Sequence, residues 1–179
     1  MTARLAATVS RPLLAILCGA LAACSSFDAK WRAAENPATA QGRTRWEGRW
    51  TSAKHTSREG GPEGGRLRAV LTELHIPAGS YLQPGPPHGP GNPLRADFRA
   101  NWLAFASSYH MTLTPVPGAR TDYRGTHELP AIFGGTYRYT ARIAGDRFTA
   151  RYESSYDRGT FTLQRLRRAK DSLPVDSRH

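Results

Sequence analysis

The sequence predicts an all-β fold: a single antiparallel up-and-down barrel or compact sandwich of about eight strands, preceded by a targeting segment and a flexible tether. Three observations carry this expectation. Apolar and polar residues alternate with period two over several short runs, the mark of strands with one buried face. The chain has 17 Gly and 13 Pro among 179 residues, and they cluster between those runs as turn formers. The last third folds on paper into hairpins whose facing residues agree in character. No long helical period, repeat unit or cofactor loop interrupts the pattern, and the length suits one domain.

The first segment reads as an address. Arg4 and Arg11 precede the apolar run from Leu13 to Ala23, the charged and apolar regions of a secretory signal peptide. Eleven apolar residues are too few to span a bilayer, which takes about 20. Residues 1–23 are therefore expected to be removed. The run ends in Leu21-Ala22-Ala23-Cys24 followed by Ser25-Ser26, which resembles the lipobox of bacterial lipoproteins. That resemblance implies cleavage before Cys24, diacylglycerol on its thiol and an acyl chain on its new amino group, with no other cofactor. Two anchors on one residue hold a protein stably at a membrane. The resemblance also carries a sorting rule: Ser25, where Asp would retain the protein at the inner membrane, favours the outer membrane of the cell envelope.

Cys18 leaves with the signal and Cys24 takes lipid, so the mature chain is expected to have no disulfide and no thiolate metal site. Without Arg4 and Arg11 the 25 basic residues become 23 against 14 acidic ones, a formal +9. Nearly all are Arg, whose guanidinium suits phosphate and carboxylate groups such as anionic headgroups, although compositional bias toward Arg is the better explanation of the excess. An exported chain without an aromatic-basic recognition motif is not expected to bind nucleic acid.

Residues 24–44, rich in Ala, Asn, Thr and Gln, read as the lipidated end and tether, with Trp31 able to dock on the domain or sit among headgroups. The β domain is expected over 45–167 and a basic, polar tail over 168–179. Strands are expected near 45–53, 66–74, 94–102, 107–115, 120–128, 135–144, 147–154 and 159–167. The first places Trp46, Gly48 and Trp50 on one face. The Gly-rich run 59–65 and the Pro/Gly-rich run 84–91 break the chain. Leu94, Ala96, Phe98, Ala100 and Trp102 then alternate with Arg95, Asp97, Arg99 and Asn101, and Tyr109, Met111 and Leu113 with His110, Thr112 and Thr114. A two-residue turn at Gly145-Asp146 pairs Ile143 with Phe148, Ala141 with Ala150, Tyr139 with Tyr152, and outside them Arg138 with Glu153. A turn at Tyr156-Asp157 would pair Tyr152 with Phe161 and Ala150 with Leu163.

An opening Trp-x-Gly-x-Trp strand followed by a meander resembles the lipocalin and avidin-like barrels, Gly48-Arg49-Trp50 matching the lipocalin Gly-x-Trp. The resemblance implies a small-molecule binding barrel with a late Arg, here Arg165, packed on that Trp. The chain is also similar to bacterial lipoproteins with a tether and one such β domain ending in Gly-x-Phe-x-Leu-x-Arg, here Gly159 to Arg165, which implies no activity.

No catalytic chemistry is legible. His55, His75, His88, His110, His127 and His179 lack helical metal spacing. His127-Glu128 begins like a zinc-protease pattern but has no second His, and Pro130 breaks the required helix. Ser107-Ser108 and Ser154-Ser155 read as strand ends, and Gly134-Gly135 as a turn without a following helix. The protein is not expected to be an enzyme or to hold a metal. The inward aromatics Trp50, Phe98, Trp102, Tyr109, Tyr137, Tyr139, Tyr152 and Phe161 either fill the interior or wall a pocket for a small apolar or amphipathic molecule. With a solid core, the loops 54–65 and 84–93 would instead bind an envelope protein, as in small β-barrel lipoproteins of the lysozyme-inhibitor kind.

Overall fold

The computed structural model describes residues 26–56, 61–74, 92–101, 106–131 and 134–167. The signal peptide, Cys24, Trp102, the Pro/Gly-rich run and the tail lie outside them. The strands are β1 (Arg43–Thr56), β2 (Pro62–Glu73), β3 (Leu94–Asn101), β4 (Ala106–Pro115), β5 (Asp122–Glu128), β6 (Thr136–Ala144), β7 (Arg147–Glu153) and β8 (Arg158–Arg165). They form one antiparallel meander closed into a barrel by β1 and β8. Closure leaves no free sheet edge between first and last strand. Trp50 pairs with Phe161 and Gly48 with Leu163 across the closing seam. At Gly48 the seam is tight, since a Cβ there would strike the Thr162 carbonyl oxygen and lie 2.9 Å from the Leu163 Cα. The glycine between the two tryptophans is thus required by the approach of β8.

The hairpin register expected for β6 and β7 is observed, with Tyr139 opposite Tyr152, Ala141 opposite Ala150, Ile143 opposite Phe148 and Arg138 opposite Glu153. Gly145 takes φ +57° in the turn, a conformation that glycine adopts without penalty. The β7–β8 register differs from expectation by two residues: Phe161 faces Ala150, and Leu163 faces Phe148. The cause is the turn. It closes on Glu153 and Arg158, with Ser154 Oγ accepting from the backbone N–H of Tyr156 at 3.1 Å and of Asp157 at 3.0 Å. A shift by an even number keeps every side chain on its face, so alternation alone does not detect it.

Arg165 faces Trp46, not Trp50. It is exposed, so the Arg-on-Trp50 packing implied by the lipocalin resemblance is not made. The seam register places Arg165 four residues away from Trp50, toward the opposite end of β1.

The expected tether is also corrected. Residues 26–35 form a helix, α1, on the outer wall of the barrel. Phe27, Trp31 and Ala34 share one face at i, i+4 and i+7. Phe27 and Ala34 are buried with Val70 of β2, and Trp31 packs beside them. The rings of Phe27 and Trp31 stack at 5.9 Å, and the guanidiniums of Arg45 and Arg68 lie over Trp31 at 5.3 and 5.4 Å. Ion pairs bind both ends of α1 to the wall: Asp28 to Arg99 at 2.6 Å and Glu35 to Arg45 at 2.9 Å. Between them, Lys30 reaches Asp97 at 2.6 Å. The Asp97 side chain is only 8% exposed beneath the helix, and a carboxylate so buried requires such a partner. Pro37 follows closely, and the chain turns through Gly42 at φ +74° into β1. Among the described residues, no helix is long and apolar enough to cross a membrane.

Candidate functional site: an aromatic cavity at one barrel end

The interior divides into two halves. Toward the end where β1 begins, Trp46, Leu71, Leu94, Met111, Leu113, Phe148 and Leu163 belong to the buried hydrophobic core. Phe98 caps this region, 6.2 Å from Phe148 and 5.3 Å from Tyr109 between ring centroids. Beyond Phe98, toward the end where β1, β3, β5 and β7 finish, lies a cavity of about 610 Å³. That end is the mouth. The volume falls within the ~300–1,000 Å³ of small-molecule sites.

The aromatic walls come from strand alternation. Trp50, Tyr109, Tyr137, Tyr139, Tyr152 and Phe161 line the cavity; Phe98 forms the packed layer beneath, touching Phe161 at 5.7 Å. Tyr137, Tyr139 and Tyr152 are mutually 6.0–6.4 Å apart, and Tyr152 lies 5.2 Å from Phe161. Such tilted and offset arrangements suit aromatic quadrupoles.

One phenol of the cavity is tied to the β7–β8 turn. Tyr152 donates to Asp157 Oδ2 at 2.8 Å, and Ser52 donates to Asp157 Oδ1 at 2.7 Å. Ser52 Oγ in turn accepts from the N–H groups of Lys54 and His55, so one buried hydroxyl ties the end of β1 to the β7–β8 turn. Burial, with Tyr139 beside it, holds Tyr109 well above the ordinary phenol range. Burial likewise raises Tyr139, and for Tyr152 burial and then the hydrogen bond to the Asp157 carboxylate do so. These phenols therefore present neutral hydroxyls to the cavity at any physiological pH. Trp50 donates from Nε1 to the Asn101 carbonyl at 3.2 Å.

The rim adds groups that alternation did not single out. His127 lies 5.1 Å from Tyr109, and His55 5.1 Å from Tyr156. Burial, and then the neighbouring His110, lower the pKa of His127, favouring its neutral imidazole. Nε2 of His55 and Oγ of Ser108 are buried without a hydrogen-bond partner among the described residues. Unsatisfied polar atoms at a cavity wall are places for water or a ligand atom to bind. Ser52 was legible in principle, since it continues the Trp46–Gly48–Trp50 face of β1. Asp157, Tyr156 and Leu129 lie in connections, where no periodicity applies. No cluster of His, Cys, Asp and Glu able to hold a metal exists among the described residues.

The fold defines the class: a closed, eight-stranded, antiparallel up-and-down β-barrel with an interior site at one end. No protein-family model, curated protein or solved structure matches the chain.

Proposed function

We propose that this protein is a lipid-anchored envelope lipoprotein whose barrel binds a small molecule with an apolar body and a polar group. The cavity carries the reading: about 610 Å³ lined by Trp50, Phe161 and five tyrosines, Tyr156 at its rim. Rings supply apolar contact to the ligand body. The phenol hydroxyls, with His55 Nε2 and Ser108 Oγ, which have no hydrogen-bond partner among the described residues, offer hydrogen bonds to its polar end. A closed up-and-down barrel is compatible with a lipocalin-like way of binding, in which the strands form a rigid wall and the ligand enters from one end. Anchoring rests on the lipobox-like Leu21-Ala22-Ala23-Cys24, with the outer membrane as destination where the cell has one.

Native mass spectrometry of the protein released from bacterial envelopes tests both parts. The expected result is an acylated chain with a stoichiometric additional mass, and loss of that mass in Ala100→Leu, which grows a side chain into the cavity wall. A ligand-free native chain that also fails to take up amphiphiles added in excess sinks the binding reading.

A further inference from the structure

We infer that the docked helix turns the mouth of the barrel toward the membrane, so that the cavity opens onto the lipid surface. The inference rests on the proposed lipidation of Cys24 and adds an orientation to it. Two features of the structure, independent of each other, lead there.

The first is the direction of α1. Its beginning is held by Asp28 on Arg99, close to the mouth end of β3, which finishes at Asn101. Its end is held by Glu35 on Arg45, close to the opposite end of β1, which begins at Arg43. Pairing across the sheet climbs the same way. The row Trp46–Ala69–Phe98–Tyr109 starts near the first residues of β1 and arrives near Ala106, the mouth end of β4. The helix thus descends the wall from the mouth. Cys24 precedes residue 26 by two positions, and two residues reach at most ~7 Å. The anchor is therefore confined to the mouth end.

The second is the rim itself. Among the described residues, the exposed large hydrophobic side chains are Leu129, 37% exposed, and Tyr156, 50% exposed. Both stand at the mouth beside the cavity. Lys54 lies 5.6 Å from the Tyr156 ring, on a rim that also carries the carboxylates of Glu63 and Glu128. The outward positions of α1, Ser26, Ala29, Arg32 and Glu35, offer no comparable apolar group, so the barrel has little reason to lie on its helical side.

A competing attraction exists at the other end, where Arg142, Arg147, Arg165 and Arg167 face partly offset acidic groups, Asp122 and Asp146. Distance decides against it. A strand of eight to ten residues tilted by ~40° makes the barrel ~20–25 Å tall. Seating the basic end on the membrane would lift the anchor by about that height, beyond the ~7 Å reach. With the mouth down, the same cations stand more than two Debye lengths (~8 Å each) from the surface. The occupant of the cavity would accordingly enter from the bilayer, as a membrane amphiphile.

Brominated phospholipid vesicles carrying the full-length, acylated protein provide the test. Once Cys18 is removed and Cys24 acylated, a new cysteine is the sole free thiol. Leu129→Cys and Tyr156→Cys place a thiol-reactive fluorophore at the mouth, and Ala144→Cys places it at the far end. Severalfold stronger quenching at both mouth positions than at 144 is expected. A flexible insertion of about 20 Gly and Ser residues between Ser25 and Ser26, reaching ~25 Å, should erase the contrast. Equal quenching at the two ends in an acylated chain overturns the orientation alone. A mature chain without acyl mass overturns the anchor and the orientation together.

Discussion

Tyr139 and Tyr152 stand directly opposite each other across β6 and β7, their rings 6.2 Å apart at 38°, on the wall of the cavity. Paired positions in an antiparallel ladder have Cα separations of ~4.5–5.5 Å, inside the range a disulfide spans. Cysteines at 139 and 152, in a chain begun at Ser25 and so free of Cys18 and Cys24, should therefore cross-link on oxidation. Cysteines at 139 and 151 should not, because neighbouring positions point to opposite faces. Non-reducing electrophoresis after mild oxidation distinguishes the two pairs.

At Gly48 the expectation concerns closure. Gly48→Ala forces a Cβ against the Thr162 carbonyl and the Leu163 Cα, backbone atoms that cannot rotate away. Relief requires β1 and β8 to part, and overpacking of this kind costs about 1–3 kcal/mol. A lower denaturation midpoint with unchanged slope would report it. An unchanged midpoint would mean that the seam is looser than described.

Strand existence and facing were legible because a half-buried strand writes its environment into the sequence every second residue. Six of the cavity aromatics follow from that rule alone, and the β6–β7 register follows from Gly145-Asp146 fixing a two-residue turn. Two failures have separate origins. At Ser154–Asp157 the side chain of Ser154 builds a wider turn than the dipeptide suggests, moving Phe161 from Tyr152 to Ala150. At α1, three apolar residues in an Ala-rich segment carry too little periodicity to separate a docked helix from a tether. What fixes it is tertiary: Val70, whose side chain would otherwise be a lone outward valine, and Asp97, an outward carboxylate that Lys30 covers. The hydrophilic rim group Asp157 was hidden for a third reason, since connections obey no period.

Phe27 is the apolar anchor of α1, buried against Val70 and stacked on Trp31. A Phe→Ala change at a buried site costs about 3–5 kcal/mol. Here the loss falls on a helix attached to a closed barrel, so the expected result is local undocking with the barrel intact. Where cleavage follows the open population, ~3 kcal/mol corresponds to a cut rate raised on the order of 10²-fold. Limited proteolysis of Phe27→Ala should cleave within 26–42 far sooner than the native chain, leaving a resistant barrel. Simultaneous loss of barrel and arm would show that α1 is integral to the fold.

The buried phenols set the alkaline limit of stability. Tyr139 is raised mainly by burial, so the native state keeps this proton at pH values where the unfolded chain, with an ordinary phenol pKa near ~10, releases it. Below that value both states are protonated and the contribution is constant. Above it the unfolded state binds fewer protons, and stability falls as pH rises, by up to ~1.4 kcal/mol per pH unit for each such tyrosine until its native pKa is reached. Tyr109 and Tyr152 act in the same direction. Tyr139→Phe removes one of these protons. Its stability, measured by denaturant unfolding between pH 9 and pH 12, should decline less steeply than that of the native chain, whatever the offset between the two proteins at neutral pH. Parallel declines would mean that Tyr139 meets water in the folded barrel and ionises as freely as in the unfolded chain.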